Sequence, residues 1–330
     1  MLLRVLHRKI AIQWVLLLGL LAFSIYIILT QTQLANEQGD VFLYKNFACF
    51  FSQYPWLGKG IIVVILLLQV LFLQYYFKKN EFSAKTSLLP ACFYLSILLL
   101  TNSLIIISPF FFTLLFFLVI ISTNYTAPAE KLKNSTFWVG ALIALGTCFD
   151  ISSIVLLVLA VTTLFINQYS RIKEIGALLS GFSMVYLYFF AYYFFTDNLR
   201  EWILTFNQIS ILGIITDAHV FADAGTLIPL IILSVLYIFF MLKFKLASES
   251  KVVVQRKRVI TFNTWSLLIL ICLFVSNSPY PNALGYLFVP IAVYLSMLAP
   301  EKSPFFINEA ITILTLFVLS FLFVLSFLWL

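Results

Sequence analysis

The feature that most constrains this chain is a series of long apolar runs separated by short polar segments. A helix needs about 20 apolar residues to cross the hydrocarbon core of a bilayer. About eleven runs approach or reach that length. They fall near residues 10–29, 57–77, 87–107, 109–122, 137–149, 151–167, 175–196, 226–244, 259–277, 283–299 and 305–328. The pattern predicts an all-α polytopic transmembrane bundle with about 11 helices.

Composition agrees with that prediction. Of the 330 residues, 63% are apolar and 10% are charged. Soluble domains are roughly half apolar and a quarter charged. The composition excludes a cytosolic enzyme, a nucleic-acid-binding domain, a disordered chain and a disulfide-stapled secreted module. No linker divides the chain, so residues 1–330 are predicted to form a single integral membrane domain without a nucleic-acid partner.

The basic residues predict the orientation of the chain. Arg4, Arg8 and Lys9 precede the first run, which places the N-terminus in the cytoplasm. Alternate crossings from that point put all but three of the 20 Lys and Arg residues on the cytoplasmic side. The exceptions are Lys45, Lys59 and Arg200, and the C-terminus is predicted to be external.

The pair of runs at 137–149 and 151–167 is short for two full crossings. It predicts either two short tilted helices or a re-entrant hairpin, with the tip at Asp150 facing outward. Asp150 is the carboxylate closest to an apolar run. It is either a substrate or ion contact at the outer mouth or the N-cap of the helix that starts at Ile151.

The first outer loop, at 30–56, carries Glu37 and Asp40, followed by a mostly aromatic stretch. The aromatic half suits a helix lying in the membrane interface. Glu37 or Asp40 is a candidate general base above it. The alternative is that both carboxylates belong to a solvated loop.

The second long outer loop, at about 197–225, contains a short acidic and histidine cluster. Asp217, His219 and Asp223 are candidate ligands for a divalent metal, although such clusters are common in loops that bind no metal. No other cofactor is expected.

Several segments resemble an uncharacterised family of multi-pass inner-membrane proteins of the Bacteroidetes. They are the basic loop and Leu89-Pro90 helix entry within 77–91, the Ser108-Pro109 turn, the run that starts Phe137-Trp-Val-Gly140, and the helix from Gly181 that closes at Glu201-Trp202. The similarity covers roughly residues 57–205. The layout of that family is similar to the GT-C superfamily of membrane glycosyltransferases. The resemblance implies a bacterial inner-membrane location and a catalytic acid in the first outer loop. It also implies a sugar donor linked to polyprenyl phosphate.

One departure from that resemblance bears on catalysis. Relatives carry Tyr-Arg-Asp and then Trp-Asp in the first outer loop, whereas this chain has Asn46 and Cys49 at the matching acids. Asparagine does not accept a proton as a carboxylate does. Either Asp40 or Glu37 substitutes from upstream, or the chain keeps the scaffold without the chemistry. Lys45 and Arg200 are the candidate phosphate contacts, with Asp150 as a further substrate contact.

These observations predict a GT-C-like inner-membrane protein that handles a lipid-linked saccharide or another envelope lipid, with or without catalytic activity. Its predicted partners are membrane lipids, a polyprenyl-phosphate-linked sugar and other envelope proteins. The alternative is a non-enzymatic scaffold subunit of an envelope secretion or surface-export complex.

Overall fold

The computed structural model describes residues 10–30, 53–80, 87–100, 129–149, 151–166, 172–197, 224–248, 253–275, 287–297 and 313–314. Within these ranges the chain is helical and contains no strand, which confirms the predicted all-α class. The main helices are α1 (Ile10–Thr30), α2 (Pro55–Lys79), α3 (Leu89–Leu100), α4 (Ala129–Phe149), α5 (Val155–Ile166), α6 (Ile172–Phe195), α7 (Ala224–Ser248), α8 (Val253–Val275) and α9 (Phe288–Met297). A short 3-10 helix, Ile151–Ile154, precedes α5.

Three of the described helices are long and apolar enough to cross a membrane. They are α1 with 21 residues, α2 with 25 and α6 with 24. At 1.5 Å per residue, α2 is about 37 Å long, which exceeds the roughly 30 Å hydrocarbon core. The chain therefore carries helices of membrane-spanning type.

The centre of the described bundle is the pair formed by α3 and α9. Every residue of α9 from Phe288 to Ser296 is buried, and α3 is buried from Leu89 to Leu98 except at two half-buried positions. The two helices pack against each other, with α1 and α2 against α3 and with α7 against α9. A helix that is apolar on all sides can be buried in this way.

The peripheral helices keep wide apolar faces exposed. Val15 and Leu18 on α1, Leu71 on α2 and Leu187 on α6 are all exposed. A soluble monomer rarely exposes contiguous apolar surface of this extent. These faces suit contact with acyl chains.

The helix at 129–149 is longer than the apolar run at 137–149 predicts. Its added first turns read Ala-Glu-Lys-Leu-Lys, and these residues have high intrinsic helix propensity. Hydropathy alone misses such a polar extension, because it detects the apolar part of a helix rather than the helix.

The predicted interruption near Asp150 is present. Helix α4 ends at Phe149 and the 3-10 helix begins at Ile151, while Asp150 itself lies outside the described residues. The main partner of α4 is α6, and α5 contacts α4 at only a few positions. The break was therefore predicted from sequence, whereas the dominant partner of α4 was not.

Helix directions can be read from contacts between the helices. The Lys59 Nζ donates to the Leu29 carbonyl at 2.7 Å, so α2 begins beside the end of α1. The Leu88 N–H donates to the Gln13 Oε1 at 2.8 Å, so α3 begins beside the start of α1. These directions are the ones that alternating crossings require.

Candidate functional site

The residues predicted from sequence to form a site lie outside the described ranges. They are Asp40, Glu37, Asp150, Arg200, Lys45, Asp217, His219 and Asp223. Over the ranges that the structure describes, no group of three His, Cys, Asp or Glu side chains could hold a metal ion.

The two described helices that flank residues 31–52 approach each other at their neighbouring ends. Helix α1 ends at Thr30, and α2 begins at Pro55. The hydrogen bond from Lys59 to the Leu29 carbonyl joins these two helix ends. In the sequence, Glu37, Asp40 and Lys45 lie between these two helix ends, which meet beside the Lys59 ammonium.

We call this place the loop-foot site and define it by Leu29, Thr30, Tyr54, Trp56 and Lys59. It lies at the end of the bundle that the distribution of basic residues predicts to face outward. Pro55 initiates α2 there, because its fixed φ suits the first helical position and it has no N–H to leave unpaired.

The start of α2 has no side-chain cap. The Gly58 N–H donates to the Tyr54 carbonyl at 3.0 Å, which is the first bond of the helix. The Tyr54 side chain makes no capping hydrogen bond. The backbone amides of the first turn carry the partial positive charge of a helix N-terminus, and that charge favours an anion.

Lys59, which is half-buried, lies beside the exposed Trp56 in this site. The Lys59 ammonium lies 5.7 Å from the centroid of the Trp56 ring, in the range of a cation–π interaction. Trp56 is 77% exposed. Exposed aromatic rings beside a cation are typical of the membrane–water interface, which is where the predicted topology puts this site.

Lys59 also has a structural role. The Thr30 hydroxyl donates to the Tyr26 carbonyl at 2.9 Å and satisfies part of the C-terminal end of α1. Lys59 supplies the donor for Leu29, and a cation there complements the negative end of the α1 dipole. One ammonium group thus joins the negative end of α1 to the start of α2.

The charge pattern predicts that Lys59 lies outside, but the predicted phosphate contacts are Lys45 and Arg200. The signal that could have selected Lys59 is its position one turn after Pro55, at the start of a membrane-spanning helix. The contact with Leu29 could not be predicted, because it depends on how closely the two helices approach.

The polar groups buried in the core also escaped sequence analysis. The Tyr94 hydroxyl donates to the Gln69 Oε1 at 3.0 Å, and the Tyr294 hydroxyl donates to the Asn263 Oδ1 at 2.9 Å. These neutral side chains hold helices together and offer no acid or base.

Glu174 is the buried carboxylate within the described ranges. It lies in the first turn of α6 and is 3% exposed, and its Oε2 has no hydrogen-bond partner among the described residues. The positive end of the α6 dipole stabilises a carboxylate in this position. Because α6 is predicted to begin at the inner end of the bundle, Glu174 is predicted to lie at the end opposite the loop-foot site.

No protein-family model, curated protein or solved structure matches this chain. A functional proposal therefore depends on the site and on the sequence pattern around it.

Proposed function

We propose that this chain is an inner-membrane protein with about eleven crossings and a GT-C-like arrangement. We propose that it handles a lipid-linked saccharide or another envelope lipid at its outer face. The observation that supports the proposal is the hydrogen bond from Lys59 to Leu29. It brings a cation and an uncapped helix N-terminus to the base of the loop that carries the candidate acids.

The chemistry that such a site suits is transfer of a sugar from polyprenyl phosphate. The acceptor hydroxyl loses its proton to Asp40 or Glu37 as its oxygen bonds to the sugar carbon. The bond between that carbon and the phosphate oxygen breaks, and the phosphate leaves with the electron pair. General-base help of this kind typically contributes about 10²–10⁴-fold.

The leaving phosphate needs positive charge at the same place. Lys59 is at the base of the loop and Lys45 is within it, while Arg200 would come from the second outer loop. A guanidinium binds phosphate in a bidentate manner, which makes Arg200 the better orienting group of the three. Asp150 remains a proposed substrate contact.

A metal at Asp217, His219 and Asp223 is a separate proposal that this transfer step does not require.

The exposed apolar faces of α1 and α2 suit the lipid part of such a substrate. Phe23 on α1 and Leu57 and Val64 on α2 are exposed. An isoprenoid chain can lie against such faces while its phosphate stays at the interface.

The second candidate function is a non-catalytic scaffold in an envelope complex. It is favoured by Asn46 and Cys49, which stand where the resemblance leads us to expect acids. On that reading the loop-foot site joins α1 to α2 and does not take part in a reaction.

The test compares a strain carrying Asp40→Asn together with Glu37→Gln with a strain lacking the protein. The catalytic proposal predicts that both strains have the same defect in growth or envelope-glycan composition. Lys173→Gln is the control. Lys173 is exposed at the start of α6, so this substitution removes one charge at a position away from the first outer loop. Membrane levels of every variant are measured by immunoblot.

A normal phenotype for the double variant, where deletion has a clear one, would leave only the scaffold proposal. Where the double variant does show the defect, a Lys59→Gln variant separates substrate binding from catalysis. Retention of polyprenyl phosphate by the purified acid variant but not by the Lys59 variant is the pattern that the proposal expects.

A further inference from the structure

We draw no further inference here: the strongest candidate, the exposed face of α6 that contains Gly176, Ser180, Ser183 and Leu187, carries none because nothing in the structure shows what covers it.

Discussion

At the scale of single residues, buried amide side chains join helices that apolar packing alone would leave free to slide. Gln13 accepts from the Leu88 N–H, and Gln69 accepts from the Tyr94 hydroxyl. Water is absent from the hydrocarbon core and cannot replace a lost partner there. Each amide therefore specifies one register between two helices.

Replacing Gln13 with leucine should lower the stability of the protein. The Leu88 N–H would lose its acceptor, and an unpaired buried donor costs about 1–3 kcal/mol. We expect a lower melting temperature for the purified variant in detergent. Ser24→Ala is the control, because the buried Ser24 hydroxyl donates to Leu20 of its own helix. If both variants melt at the wild-type temperature, Gln13 does not hold α3.

The Tyr94–Gln69 pair should show energetic coupling. Tyr94→Phe removes the hydroxyl donor, and hydrogen bonds between membrane helices contribute about 0.6 kcal/mol on average and up to about 1.7. A double-mutant cycle with Gln69→Leu measures the coupling as a difference in unfolding free energy. Tyr26→Phe, at an exposed position on α1, should have no effect. Additive effects of Tyr94→Phe and Gln69→Leu would contradict the pairing.

At the scale of elements, the tightest packing is between α4 and α6, which run in the same direction. Gly140 lies against the Leu178 carbonyl, and Gly181 lies against the Phe137 carbonyl. Farther along, the Thr147 and Tyr186 hydroxyls share a hydrogen bond at 2.7 Å. Small residues allow backbones to approach in this way in membrane helices.

A side chain at either contact glycine should separate the two helices. A β-carbon on Gly140 or Gly181 would overlap the backbone of the facing helix, which cannot move aside as a flexible side chain can. Gly181→Val should cost at least ~1–3 kcal/mol, the usual range for overpacking. The readout is the melting temperature in detergent.

Gly176→Ala on the same helix is the matched control, because its new methyl group would meet no atom within 4 Å. Alanine is the better helix former, so this variant should be neutral or up to about 1 kcal/mol more stable. Equal destabilisation by both variants would show that contact with α4 does not set the effect.

Sequence predicted the existence of these elements better than their pairing. The long apolar runs located α1, α2 and α6 to within a few residues, because a membrane span has a nearly fixed length. The pairing of α4 with α6 depends on Gly140 and Gly181, and a glycine in a sequence does not reveal which helix it faces. The Lys59–Leu29 contact was equally out of reach, since a backbone carbonyl carries no sequence signal.

At the scale of the whole molecule, contacts between residues far apart in sequence bring together helix ends that the charge pattern predicts to lie on one side of the membrane. Arg258 meets Lys79, so the start of α8 and the end of α2 lie at one end of the bundle. The basic-residue distribution independently assigns both places to the cytoplasm. Lys59 and Trp56 lie at the opposite end of α2.

Reporter placement tests the orientation. We expect a reporter fused after Ser250 to be cytoplasmic and one fused after Leu330 to be external. A membrane-impermeant thiol reagent should label Trp56→Cys from outside and Lys78→Cys only after the membrane is opened. Detection of both fusions on one side would end the eleven-crossing proposal.

The burial of α3 against α9 has a consequence for biosynthesis. Roughly 190 residues separate Leu100 from Phe288, and translation at about 5–20 residues per second takes about 10–40 s to cover them. During that interval α3 is already made, while the helix that will cover it does not yet exist. Acyl chains cover an apolar helix about as well as another helix does, so the delay carries little hydrophobic penalty. Closure of the bundle around α3 is therefore a late event in synthesis, and van der Waals packing rather than escape from water drives it.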